Sequence, residues 1–229
     1  MAGCSRPARL ARALTLRQTG ARGGGYLQGV RLLAAVGALL LLTASLAAGC
    51  GGGGKAAVEP PPSFAGGALT PPKATPDFSL SDAHGQTFTM SEERGKLVLV
   101  TFIYTHCPDV CPLIAQNLND ALQQLGARRN EVSVLAISVD PRGDTAKAVR
   151  AYEKLHHLVP EFHYLIGSRP ELLAVWKAWG VAAIASDPEL VDHTAYTMLV
   201  DRAGKGRVIY DAHIQSKQVV HDVRLLLAA

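Results

Sequence analysis

The sequence predicts an α/β sandwich built around a mixed central sheet, and three observations carry that prediction. From residue 77 onward, strand-like and helix-like segments alternate in the order β-α-β-α-β-α-β-β-α, which places helices against a shared sheet. Two of the strand-like segments, "KLVLVTFIY" and "EVSVLAISVD", are continuous apolar runs, as central strands covered on both faces require. The last two strand-like segments flank a Gly-containing turn, so they pair as an antiparallel hairpin and the sheet is mixed.

Taken in order, "DFSLSDAHGQTFTM" is expected to form a short hairpin turning at His84 and Gly85. "KLVLVTFIY" is the first central strand. After Pro112, apolar residues fall at Ile114, Leu118, Ala121, Leu122 and Leu125, a helical spacing that stops before Gly126. "EVSVLAISVD" is the second central strand. Asp144 or Thr145 can cap a helix carrying Val149, Tyr152 and Leu155 on one side. "FHYLIG" is a short strand, and "RPELLAVWKAWG" is a helix with proline at its start and glycine at its end. "AYTMLVDRAGKGRVIYD" is the hairpin, turning between Ala203 and Gly206, and the chain closes with a helix bearing Val220, Val223, Leu226 and Leu227.

Residues 1–49 belong to a different class. They hold six arginines, no lysine and no acidic residue, and they end in the apolar run "LLAAVGALLLLTASLAAG", the layout of an export signal. Cys50 follows in "LAAGCGGGG", which resembles a bacterial lipoprotein signal: cleavage before Cys50 and a lipid on its sulfur. An uncleaved anchor is the alternative, although the run from Leu32 to Ala48 is at the short limit for a span. Either way the arginines stay inside and the folded domain lies on the extracytoplasmic side of the cell membrane. Residues 50–76, rich in glycine and proline, read as a tether, and residues 77–229 as the folded domain. Without the six arginines the formal net charge of +4 becomes −2. A nucleic-acid partner therefore loses its electrostatic support.

The exported domain keeps two cysteines, Cys107 and Cys111, at the junction of the first central strand and its helix, a place where α/β folds put chemistry. A helix N-terminus lowers thiol pKa values, so both sulfurs are expected to become thiolate more easily. Thiolates exchange with disulfides and also bind soft metals such as Cu(I). Redox domains of this shape usually carry C-x-x-C. Here three residues intervene, which leaves a disulfide possible and widens the bite available to a metal. Cu(II) asks for a nitrogen as well. His193, in "LVDHTAYTMLVD", lies just before a strand whose leading loop faces the active-site helix in thioredoxin-like arrangements. Redox enzymes of that kind place a cis-proline there, and this chain has no proline after Pro188.

"GKLVLVTFIYTHCPDVCP", "ISVDPRGDT" and "VDHTAYTMLVDRAGKGRVIYD" together resemble the signature blocks of the Sco (SenC) family, copper-binding thioredoxin-fold proteins that help assemble cytochrome c oxidase. The resemblance runs from about Asp77 to the C-terminus. It implies a thioredoxin-like fold, copper, as Cu(I) or Cu(II), held by Cys107, Cys111 and His193, and a copper-accepting oxidase subunit as partner. The lipoprotein-like anchor replaces the membrane-spanning segment of many members. On this reading the protein is a membrane-tethered metallochaperone and not an enzyme. The alternatives are a thiol-disulfide reductase, with Cys107 attacking and Cys111 resolving, and a copper or redox sensor.

Beside these residues stand blander ones. His106 adjoins Cys107, but neighbouring strand residues point to opposite sides, so it shares the ligand face only if the loop has already begun there. It is therefore at most an accessory or transient ligand. Asp192 is placed to orient the His193 imidazole. Asp109 either tunes the thiols or caps the helix. Asp140 and Asp144 read as loop architecture, Trp176 and Trp179 as packing residues, and His84, His163, His213 and His221 as surface or packing histidines. His156 and His157 offset a helix dipole.

Overall fold

The computed structural model describes residues 63–185, 191–193 and 195–229, with the backbone alone at 183–185 and 191–193. The signal segment 1–49, with Cys50 and the tether as far as residue 62, lies outside the described residues. The two apolar runs form β4 (Leu97–Ile103) and β5 (Val132–Ser138), and every residue of both is buried. They pair in parallel from Leu97↔Val132 to Ile103↔Ser138. β6 (Phe162–Ile166) continues the parallel part beyond β5. On the other side of β4 run β9 (Thr197–Val200) and β10 (Lys205–Tyr210), both antiparallel to their neighbours. The turn between them holds Gly204 at φ 77°, a backbone state that costs glycine little.

The expected first hairpin is β2 (Ser79–Asp82) and β3 (Thr87–Thr89), turning through Gly85 at φ 87°. It attaches to β6. Asp82 stabilises the turn, accepting from the N–H groups of His84 and Gln86 at 2.8 Å each.

Among the described residues four α-helices flank the sheet. α1 (Val110–Leu125) buries Ile114, Leu118, Ala121, Leu122 and Leu125, the set its spacing predicts. α2 (Ala146–Leu155) is capped by Thr145, whose hydroxyl accepts from Ala148 N–H at 3.2 Å. Asp144 turns the other way, into the protein. Val149 and Tyr152 are buried as expected, but Leu155 is 72% exposed. It is the last helical residue, one turn beyond buried Tyr152. α3 (Arg169–Trp179) begins with a Ser168–Glu171 capping box and ends at left-handed Gly180. α4 (Ser216–Ala228) buries Val220, Val223, Leu226 and Leu227. Trp176 and Trp179 are both buried, which settles them as packing residues.

Two features depart from the sequence reading. Residues Gly67–Ala74, assigned above to the tether, form β1, antiparallel to β10 and at the edge of the sheet. The domain therefore begins ten residues or so before Asp77. The second departure is a separate two-stranded sheet of β7 (Ala183–Ala185) and β8 (Val191–His193). The main sheet has the order β1-β10-β9-β4-β5-β6-β2-β3. With its helices it is the thioredoxin-like mixed α/β fold that the sequence predicted. No helix among the described residues is long and apolar enough to cross a membrane.

Candidate metal centre

β4 is the middle of the sheet, and its C-terminal end delivers the chain into Tyr104, Thr105, His106 and Cys107. A turn closes there, with Cys107 N–H donating to the Tyr104 carbonyl at 3.4 Å. Val139 N–H donates to the Ile103 carbonyl at 3.0 Å, which ties the loop after β5 to the same end. α1 then starts at Val110, so Cys107 precedes the helix and Cys111 lies in its first turn. Cys107 is 8% exposed and Cys111 fully buried, and no disulfide joins them.

The two sulfurs form one hydrogen-bonded unit. Donation from the Cys111 S–H lowers the Cys107 pKa to about 5, against the cost of burial. The N–H groups of Asp109 and Cys111 and the Tyr104 hydroxyl help in the same direction. A thiolate at Cys107 is thus held first by the Cys111 S–H, with backbone donors at the helix start and the Tyr104 hydroxyl assisting. Cys111 goes the opposite way. Its proton is kept by the bond to Cys107, by burial and by the negative charges of Cys107 and Asp144. The expectation that the helix would lower both thiols is therefore corrected. One proton is shared by the pair, and Cys107 is the sulfur that gives it up.

Asp144 fixes this loop from below. Its carboxylate is buried and accepts four hydrogen bonds: from Thr105 N–H at 2.9 Å, Thr105 Oγ1 at 2.7 Å, Ser138 Oγ at 2.6 Å and Tyr164 Oη at 3.0 Å. Burial pushes its pKa up, and these donors oppose that. The Tyr152 hydroxyl donates to the Cys111 carbonyl at 3.5 Å, joining α2 to the same turn. Asp109 occupies the N-cap position of α1 but makes no side-chain cap bond.

His193 lies in β8, where its backbone pairs with Ala183, rather than in a loop. β9 follows, and Thr197 pairs with Thr101 near the end of β4 that bears Cys107. The side chains of His193 and Asp192 lie outside the described residues. Among the described residues no three His, Cys, Asp or Glu side chains come together as a metal site. Of the predicted triad, the structure brings Cys107 and Cys111 together. Three of the other histidines have ordinary partners: His84 with Glu153 at 2.9 Å, His221 with Asp222 at 2.8 Å, and His163 against Phe88 with ring centroids 4.2 Å apart.

The sequence profile of the SCO1/SenC family matches residues 67–228. The chain belongs to the SCO1/SenC family. The match starts at the first residue of β1, in agreement with the domain boundary that the structure gives. A "SCO2-like protein" of Rickettsia felis is 30% identical over 135 residues, which are 56% of this chain and 65% of that protein. The chain thus spans slightly less than two thirds of that relative's length. Among solved structures, Bradyrhizobium japonicum ScoI with copper bound superposes with a TM-score of 0.60 at 29% identity, covering 67% of this chain and 99% of that one. Apo Sco1 from Thermus thermophilus gives 0.62 at 32% identity, covering 72% of this chain and 97% of that one.

Within this SCO1/SenC chain, two contributors to the site escaped the sequence reading. Tyr104 was hidden as an apolar strand residue, and it supplies a donor to Cys107. Asp144 was visible only as a helix-cap candidate and loop architecture, and its hold on Thr105 spans 39 residues of sequence. No local pattern announces a partner at that distance.

Proposed function

We propose that this SCO1/SenC chain is an extracytoplasmic, membrane-tethered copper metallochaperone. It binds one copper ion as cargo through Cys107, Cys111 and His193 and passes it by ligand exchange to the dinuclear copper centre of an oxidase subunit. The observation that carries this reading is the pair of adjacent buried sulfurs, one held as thiolate at a helix start. Soft thiolates suit Cu(I), and Cu(II) asks for a nitrogen in addition. His193 is the nitrogen donor in this proposal. Binding displaces the proton that Cys111 retains, since a coordinating thiol is deprotonated. A lipid on Cys50 anchors the chain. With β1 taken into the fold, the segment between that anchor and the domain is shorter than residues 50–76.

A second reading, favoured by the asymmetry of the two thiols, is a thiol-disulfide reductase. The Cys107 thiolate attacks a partner's disulfide, Cys111 then attacks the sulfur of Cys107, and the partner leaves with two thiols as a Cys107–Cys111 disulfide forms.

Anaerobic titration of the reduced protein with Cu(I) and with Cu(II) separates the readings. One copper per chain is expected for both ions, with Cu(II) binding lost and Cu(I) binding retained in His193→Ala. Unchanged Cu(II) affinity in that variant would refute the His193 assignment. A folded, reduced protein that binds no copper would put the reductase first.

A further inference from the structure

We propose that His106 is the entry ligand for copper, an exposed imidazole whose Nε2 receives incoming Cu(II) and passes it to the adjacent sulfur of Cys107. The inference rests on the copper reading above and extends it to the route by which the metal arrives.

The geometry at this residue is fixed from behind. Thr105 Oγ1 lies 2.7 Å from Asp144 Oδ1 and 3.0 Å from His106 Nδ1. Asp144 already accepts from the Thr105 N–H and, on its other oxygen, from Ser138 and Tyr164. A carboxylate has only lone pairs to offer, so the single hydroxyl proton of Thr105 is directed to it. The Thr105 oxygen then has a lone pair for His106, and the proton of the second bond comes from the ring. Nδ1 of His106 is therefore the N–H nitrogen and Nε2 carries the lone pair. A ring nitrogen that donates to an anchored acceptor while the other faces a metal is the arrangement that orients histidine ligands.

Placement supports the same role. His106 is exposed, and its bond to Thr105 engages Nδ1, with Nε2 on the far side of the ring. Gly143 lies against the same edge, where an added Cβ would sit 3.2 Å from Nδ1. The ring is thus held on one side and open on the other. Cys107, the next residue, faces inward and is buried. His106 does not join the two sulfurs in a three-ligand cluster among the described residues, so it acts before the resident site and not within it. Imidazole accepts Cu(II) readily. The transfer is ligand exchange at constant oxidation state: an N–Cu bond forms first, and it breaks as the S–Cu bond to Cys107 forms.

The test is stopped-flow mixing of the full-length reduced chain with a Cu(II)–glycine complex, read as growth of sulfur-to-copper absorption. His106→Ala removes the ring. His106→Gln keeps a donor for Thr105 but has no imidazole lone pair. Both variants are expected to load about tenfold more slowly than wild type, the lower end of what histidine-oriented metal sites lose on perturbation, and to reach the same end point. Wild-type rates in both variants would overturn the inference while leaving the chaperone reading intact. So would recovery of the rate in His106→Gln, which would mark the role as structural, or a reduced end point, which would make His106 a resident ligand. No absorption from the wild-type chain would overturn the copper reading and this inference with it.

Discussion

Replacing Cys111 by alanine removes the S–H that Cys107 uses to hold its negative charge. That bond is the largest influence lowering the Cys107 pKa, and burial works against it. The sign of the effect follows. With Cys111 present, Cys107 is thiolate from about pH 5 upward, so its alkylation rate is already on a plateau at neutral pH. Without it, burial remains and a major donor is gone, and the rise in rate moves toward the ordinary thiol range, about pH 8.5. Iodoacetamide rate profiles of the two reduced proteins, with peptide mapping of the product, measure this shift. Equal midpoints would mean that backbone donors alone carry the thiolate. This asymmetry was not legible in the sequence, because a C-x-x-x-C spacing gives two identical side chains at one helix start. The partner bond and the difference in burial, which separate the two thiols, exist only in three dimensions.

Elements were most legible where their signals are local. β4 and β5 are continuous apolar runs, and α3 carries its capping box and terminal glycine in eleven consecutive residues with their neighbours. β1 was not legible. "GALTPPKA" contains two prolines that cannot donate to a ladder, the composition of a linker. It becomes a strand because β10 offers an edge and because Asp222 of α4 accepts from the N–H groups of Ala65 at 2.7 Å and Gly66 at 3.0 Å, more than 150 residues away in sequence. The end of α2 shows local preference overruled in another way. His157 takes φ 51°, where a side chain normally costs about 1 kcal/mol or more. Asn119 of α1 imposes it, donating to the His157 carbonyl at 3.2 Å and accepting from Val159 N–H at 2.9 Å. Both bonds use the backbone, so His157→Gly keeps them and relieves the strain. The variant is expected to be more stable by about 0.5 to 1 kcal/mol, after glycine's greater freedom in the unfolded chain is discounted. Urea denaturation with an unchanged slope would show it, and a lower midpoint would mean that the imidazole itself contributes packing.

At the scale of the whole molecule the question is where the folded unit begins. The composition places the start at Asp77, and the structure places it before β1. The two boundaries make different molecules. A chain starting at residue 77 lacks β1 and leaves β10 as an unpaired edge, with its backbone N–H and C=O groups open to a second chain. It also strips Asp222, which is fully buried, of two of its donors, leaving the Tyr210 hydroxyl at 2.8 Å and His221 Nδ1 at 2.8 Å. A buried carboxylate that loses hydrogen bonds costs about 1 to 3 kcal/mol, before the loss of β1's own pairing. A chain starting at residue 63 keeps all of this. The longer chain is therefore expected to unfold at the higher urea concentration by an amount equivalent to about 2 kcal/mol or more. It should also elute as a single species where the shorter one associates through its exposed edge. Denaturation curves and size-exclusion profiles of the two, compared at equal concentration, decide the matter. Equal midpoints and equal elution would mean that β1 rests on the domain without stabilising it. In that case residues 67–76 would count with the segment before the domain, as their prolines suggest.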